Sequence, residues 1–583
     1  MHTPYEAPPS DAYASGEVAI SEATAGLDAL ARPLDFGLSE RGRAALWLAL
    51  LLTAALSLQF LAGAYRTETG NYSDESAHFM NALLLRDYVT HAFGQNPLAF
   101  AEQYYLSYPK IAPLMWPPFF HVLLGLLLLP GWPPHQAALV FLAAAATLTA
   151  YRLSRFARLY SSRTVSIVLA ALFLLTPIIV DLSTAIMVDI VLIGLGLEAA
   201  WWLARYYVSG ETKHVLLFGA FATCCCMTKG NGVAITLLPV LMMLATGRVH
   251  LLRTRGLYTS AAMVALLAGP FVYISYRLCD SMGDFTGTGA TLTLTRGLDF
   301  GVFLFRELTP VPFALSMLGA VVAVRRAWTW PPALRTIAPA ALVALAFAGV
   351  LFHTLLPLEY YAGRYVALAV APLFALLPLG IAVLIDVAGY PVLHVRATTA
   401  VMAVAVLSVV LMRPAAVPRR PLGYSQIVST IGTEGLADRR ILVISDESGE
   451  GAMVTEVAIR QPSPAPTIIR GSKLLADGDW MNNNFQTLFG STAQTLQQLE
   501  DLHVDLLVFD RSPEAREMAY WSHVQSVIEI AGGRLAPVMN TSVDANSGPT
   551  RPITVYRVTH ASPGPPAKLR LNLRYSIGKV LER

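Results

Sequence analysis

Residues 44–64 read AALWLALLLTAALSLQFLAGA, with no charge anywhere in the run. A helix of that length crosses roughly 30 Å of hydrocarbon. Comparable runs recur near 136–152, 164–182, 185–206, 214–229, 231–246, 257–276, 301–324, 336–356, 365–387 and 397–412, which predicts eleven spans in all. Composition agrees, since 55% of the residues are hydrophobic and 14% charged, against about 25% charged in soluble domains. The fold class that follows is a polytopic α-helical membrane protein. A net charge of +3 is too small to indicate nucleic acid as a partner. Cys224, Cys225 and Cys226 lie in an apolar run and Cys279 stands alone, so neither a disulfide framework nor a zinc spacing is visible.

One more apolar run, 119–130, is bounded by Pro117-Pro118 and Pro130 and is too short to cross, which suits an interfacial or re-entrant helix. With that segment not crossing, five basic clusters share one side with the N-terminus and its Arg41 and Arg43. They are Arg152, Arg155, Arg158 and Arg163; Arg205 and Lys213; Arg248, Arg253 and Arg255; Arg325, Arg326 and Arg335; and Arg396. The positive-inside rule makes that side cytoplasmic. Loop 65–135 and everything after 413 then lie outside, and Arg413, Arg419 and Arg420 stand there against the rule. Residues 1–38, rich in Ala, Ser, Pro and Glu, read as a disordered cytoplasmic tail. The expected location is a bacterial inner (plasma) membrane or its equivalent.

After a Pro-rich linker, 413–437, the pattern changes to short apolar runs alternating with helical ones. Residues 441–445, 467–470, 504–509 and 553–558 read as strands, with helices at 492–502 and 513–531. This predicts an extracytoplasmic α/β domain over 438–560, followed by a basic C-terminal tail, 561–583. Ser448-Gly449-Glu450-Gly451, after the first strand, could cradle a phosphate but lacks both the dinucleotide and the P-loop pattern, so an ordinary strand-to-helix turn is the favoured reading.

The chemistry concentrates just after the first span, at Asp74-Glu75-Ser76-Ala77-His78. Residues 77–91 have the spacing of an amphipathic helix lying in the membrane interface, so a carboxylate pair at its start would sit at headgroup depth. Adjacent carboxylates there are hard to justify by stability and suit acid/base work. The plainer reading is a solvated loop with ordinary charges.

The pattern resembles the D-E-x-x-H/Y signature of lipid-dependent GT-C membrane glycosyltransferases. It is similar to the protein mannosyltransferases that use dolichyl-phosphate-mannose and to the bacterial aminoarabinose transferases of lipid A. Four further segments carry the likeness: Tyr108-Pro109-Lys110, Met187-Val188-Asp189, Thr228-Lys229-Gly230, and Gly363-Arg364-Tyr365 followed by Pro372. It spans residues 45–390 and leaves the α/β domain uncovered. Lys110 is followed by Ile111-Ala112 where the pattern has two prolines.

The resemblance implies a GT-C-like membrane domain over 39–412 that moves a sugar from a polyprenyl-phosphate donor to an extracytoplasmic glycan, lipid or protein acceptor, inverting the anomeric centre. It implies catalytic roles for Asp74, Glu75 and Asp189, and substrate binding by His78, Tyr108, Lys110, Lys229, Glu359, Arg364 and Tyr365. A divalent metal held by Asp74, Glu75, His78 and Asp189 stays open, because spacing alone does not decide it. Two other classes stay open as well: a transporter or flippase of lipid-linked sugars, and a noncatalytic cell-envelope assembly protein that binds through its α/β domain.

Overall fold

The computed structural model describes residues 39–281, 294–355, 363–387, 398, 400–404, 407, 419–460, 465–478, 485–541, 550–559, 565–573 and 579–583. The tail 1–38, most of the run 397–412, and Glu359 lie outside the described residues.

Ten of the eleven expected runs fall on helices. Among the described residues, five helices are long and apolar enough to cross a membrane: Glu40–Leu61, Pro134–Ala157, Pro310–Thr329, Leu334–Leu355 and Gly363–Ile385. Two bent pairs bring the number to seven if each is one span: Arg163–Leu174 with Pro177–Thr184, and Arg255–Leu267 with Gly269–Arg277. The 58° bend in the first pair falls where Pro177 starts a new helix and holds Thr176 extended. The expected single span at 301–324 is instead two helices, Leu294–Leu308 and Pro310–Thr329, parted at Thr309 with φ of 62°. Asp189–Ser209 is 21 residues long, but Glu198, paired with Arg152, and its aromatic residues dilute its apolar character. Thr212–Cys226 and Gly230–Thr246 are shorter apolar helices. Cys225 and Cys226 are free and buried, consistent with their serving as small hydrophobes.

Between the first and second long helices, the chain forms Glu75–His91, Pro97–Ser107 and the nine-residue Phe119–Leu127. Phe119–Leu127 packs on Glu75–His91 through buried Phe120 and Leu124, and Gly125 lets the backbones meet: a Cβ there would lie 2.9 Å from the Ala82 carbonyl oxygen.

The described residues of the C-terminal region form nine strands: β1 (Arg440–Ile444), β2 (Thr467–Arg470), β3 (Ala476–Asp477), β4 (Gln486–Thr487), β5 (Leu506–Asp510), β6 (Leu535–Asn540), β7 (Ile553–Val558), β8 (Arg570–Leu573) and β9 (Lys579–Glu582). Five form one sheet in the order β2-β1-β5-β7-β6. Pairs β1–β2 and β1–β5 are parallel, with Val443 opposite Arg470 and Ile444 opposite Phe509, while β7 is antiparallel to β5 and β6. The expected linker contains a helix, Tyr424–Leu436, anchored by buried Tyr424. The expected tail contains β8 and β9, paired with Leu571 opposite Leu581. Alternation in Arg570-Leu571-Asn572-Leu573 is the local signal for that strand.

Loop 65–135 and the sheet domain interlock. Glu68, 4% exposed, accepts from the backbone N–H groups of Leu422, Gly423 and Ser425 at 2.7, 3.1 and 2.9 Å, closing the start of the Tyr424–Leu436 helix. Lys579 reaches Glu102 at 2.7 Å, and Arg583 donates to the Ser107 hydroxyl at 2.9 Å. These contacts hold residues 65–110 and the sheet domain on one face of the helical body.

Candidate active site

The site forms where four segments distant in sequence end against one another. Asp74 stands at the N-cap of Glu75–His91, yet its carboxylate makes no capping bond. It faces Arg364, whose Nη2 lies 2.5 Å from Asp74 Oδ2. Asp189 opens the Asp189–Ser209 helix, where the macrodipole favours an anion. Lys229, in the break between Thr212–Cys226 and Gly230–Leu237, meets it with Nζ 2.6 Å from Oδ1. Tyr365 joins the two ion pairs: Lys229 Nζ lies 5.1 Å from its ring centre and the Arg364 guanidinium 5.5 Å. The same guanidinium lies 5.1 Å from the Tyr72 ring, and buried His353 stacks on Tyr365 with ring centres 5.6 Å apart.

Two polar atoms in this cluster are buried without a hydrogen-bond partner among the described residues: Asp189 Oδ2, an acceptor, and Arg364 Nε, a donor. Buried polar atoms are normally satisfied, because an unmet one costs about 1–3 kcal/mol. One orphan of each sign, on ion pairs that share an aromatic ring, makes a site able to take a ligand carrying both acceptors and donors.

Glu75 is adjacent to Asp74 but differently placed. It is 1% exposed, and its two oxygens accept from the N–H groups of Gly70 and Asn71 at 2.9 Å and of Ile186 at 2.8 Å. Arg419 Nη1 lies 3.8 Å from Glu75 Oε1, and Arg419 Nη2 the same distance from Asp181 Oδ1. Arg419, anomalous by the positive-inside rule, thus meets the carboxylates of the outer loop and of Asp181. Asp181 in turn accepts from Asn71 at 3.0 Å and from the Tyr72 hydroxyl.

Lys110 approaches from the other side. It is 7% exposed and its Nζ donates to the Glu447 carbonyl at 3.2 Å. Burial, reinforced by the Arg470 guanidinium, brings its ammonium down to about 8, with Glu447, Glu450 and Asp74 partly offsetting this. The carbonyl belongs to the helix Glu447–Arg460, so the sheet domain helps to hold Lys110. Arg470 binds Glu450 Oε2 at 2.7 Å and the Pro109 carbonyl at 3.2 Å. Ser448 to Gly451 is therefore not a phosphate loop but the first turn of a helix packed on Glu75–His91. A Cβ on Gly451 would come within 2.8 Å of Ser76 Oγ and 3.0 Å of Lys110 Cε, so close approach explains the glycine.

The remaining expected residues are placed differently. His78 Nδ1 meets His121 Nε2 at 3.1 Å and its ring packs on Trp116. Tyr108 is buried beside Tyr104, whose hydroxyl donates to Asp87 at 3.0 Å, a cluster apart from the two ion pairs. Asp74, Glu75, His78 and Asp189 do not converge as metal ligands: each faces its own partner, and among the described residues no group of three or more His, Cys, Asp or Glu is placed to hold an ion. Sequence reading missed Tyr72, Arg419, Glu447 and Arg470. Tyr72 had a nearby signal in the acidic pair two residues on, Arg419 in its conflict with the charge rule, and Glu447 in the Ser448–Gly451 stretch beside it.

Comparison with known proteins supplies independent placement. Residues 116–274 match the family model described as dolichyl-phosphate-mannose-protein mannosyltransferase, a stretch containing Asp189 and Lys229. Among curated proteins, no sequence matches. Solved structures match through the fold. ArnT from Cupriavidus metallidurans, in the apo state, gives a TM-score of 0.54 at 12% identity, covering 88% of this chain and 98% of that one. The same protein bound to undecaprenyl phosphate gives 0.52 at 12% identity over 87% and 98%. The Archaeoglobus fulgidus oligosaccharyltransferase, in complex with Zn and sulfate, gives 0.52 at 13% identity over 85% and 72%.

The chain shares the fold of ArnT and of the archaeal oligosaccharyltransferase. That likeness covers too much of the chain to be confined to residues 45–390, so it reaches into the sheet domain, where the motifs gave no resemblance.

Proposed function

We propose that this protein is an integral-membrane glycosyltransferase that takes a sugar from a polyprenyl-phosphate donor and passes it to a glycan, lipid or protein acceptor on the non-cytoplasmic face. The observation that carries this reading is the paired orphan atoms, Asp189 Oδ2 and Arg364 Nε, in a cluster of opposed charges at the ends of apolar helices. Support also comes from the family match over 116–274 and from the shared fold.

In this reading the donor phosphate docks on Arg364 and Lys110. A guanidinium gives phosphate two parallel hydrogen bonds, while an ammonium acts as a point charge. The phosphate competes with Asp74 for Arg364 and so frees the Asp74 carboxylate. Asp74 then takes the proton from the acceptor's O–H or N–H group as that atom attacks the anomeric carbon. The new bond forms on the face opposite the breaking C1–O bond, and the electron pair leaves on the polyprenyl phosphate, where the two cations stabilise the charge. Asp189, held by Lys229, uses its free oxygen to orient a sugar or acceptor hydroxyl. Glu75, saturated by backbone donors, shapes the loop and touches no substrate.

The test is transfer of labelled sugar from a polyprenyl-phosphate donor by purified protein in detergent, with acceptor extracted from cells lacking the gene. Transfer in a single compartment supports an enzyme; its absence, with transport across sealed vesicles, supports a flippase.

A further inference from the structure

At the opposite end of the helical body from Asp74, a cavity of about 460 Å³ opens among three helix ends. They are the start of Glu40–Leu61, the end of Pro134–Ala157 and the start of Arg163–Leu174. Arg43, Arg155, Arg158 and Arg163 line it, with Glu40 the single acidic residue. Topology rules require arginines on this side but do not require four of them around one cavity.

The other walls change character with depth. Trp47 and Leu51 continue into the cavity from the Glu40–Leu61 helix, about 33 Å long at 1.5 Å per residue. In its most apolar window only 17% of that helix is buried by protein, and Leu50, one turn beyond Trp47, is 49% exposed. Tyr151, Ile167 and Ala170 complete the apolar side. A cationic mouth joined to an uncovered apolar helix face has the shape of an amphiphile, with anion at one end and hydrocarbon at the other.

We infer that this cavity binds the phosphate headgroup of an anionic phospholipid in the leaflet opposite the active site, with an acyl chain lying along the Glu40–Leu61 helix. The apolar wall argues for a lipid over a free phosphate, which would use the arginines alone. The inference does not depend on what the protein transfers, since no cavity residue belongs to the candidate active site.

The experiment measures lipid retained by the full-length detergent-solubilised protein, by native mass spectrometry, offering phosphatidylglycerol and phosphatidylcholine of equal chain length. Phosphatidylglycerol should be retained at least roughly tenfold more tightly, the order expected from one or two interfacial arginines, and sn-glycerol 3-phosphate should not displace it at equal concentration. Arg155→Gln/Arg158→Gln should erase the preference, while Arg253→Gln, on the same face but outside the cavity, should leave it intact. Equal retention of the two lipids by the wild-type protein would overturn the inference, as would displacement by glycerol phosphate or an unchanged preference in the double variant. The wild-type comparison decides the matter even if the double variant does not fold.

Discussion

Asp74 and Glu75 are neighbours in sequence with opposite fates, and the difference lies in who satisfies them. Three backbone N–H groups fill Glu75, whereas Asp74 meets one guanidinium that a phosphate can draw away. Asp74→Asn should lower turnover by about 10²–10⁴-fold with little change in folding, measured as kcat on purified protein. Glu75→Gln should do the reverse: its amide turns a donor toward N–H groups that need an acceptor, costing about 1–3 kcal/mol, seen as a lower Tm with transfer kept in the folded fraction. Lys110 carries a pH signature. With its ammonium at about 8 against an ordinary 10.5, raising the pH through 8 removes the cation and should raise the donor KM. The sign for stability is opposite. Between those values the unfolded chain holds a proton that the folded one does not, so this group's contribution to stability rises with pH. Lys110→Arg should remove the alkaline rise in KM, measured from pH 7 to 9.5; a rise that persists in this variant would assign it to another group.

At the scale of elements, what was legible in the sequence was what short-range pattern controls. Apolar runs marked ten helical segments, and β1, β2, β5 and β7 were visible as apolar stretches between polar ones. β6 was not, because Pro537 interrupts it; it survives as an edge strand with a register shift between Pro537 and Met539. Ser448 to Gly451 was ambiguous because Gly451 answers a helix met only in three dimensions, at Ser76, some 370 residues earlier. For the candidate site, the acidic pair and the basic partners were visible as motif-like fragments. The pairing of Asp74 with Arg364 and of Asp189 with Lys229 was not, since nothing local links residues so far apart. The helix Glu447–Arg460 offers a test of coupling between the two parts. Gly451→Val should push Ser76 and Lys110 aside, raising the donor KM several-fold and costing about 1–3 kcal/mol through overpacking. An unchanged donor KM with normal folding would show that the sheet domain does not hold Lys110.

At the scale of the molecule, the outer loop and the sheet domain are joined through Glu68, Lys110, Arg419, Arg470 and Lys579, so one membrane face must carry both. Arg419 is a counter-ion to Glu75 and Asp181, which gives it a role independent of topology. Cysteines placed at exposed Gln95 and Ser491 should both react with an impermeant thiol reagent from outside intact cells; labelling of only one, or of neither until the cells are opened, would contradict this orientation. The account as a whole rests on the two ion pairs forming one reaction centre for a phosphate-linked sugar. Its most direct test is single-turnover transfer from a labelled polyprenyl-phosphate sugar by purified wild-type and Asp74→Asn protein, with donor binding measured in parallel. The prediction is bound donor in both, with transfer about 10²–10⁴-fold slower in the variant. Wild-type transfer rates from Asp74→Asn would contradict it.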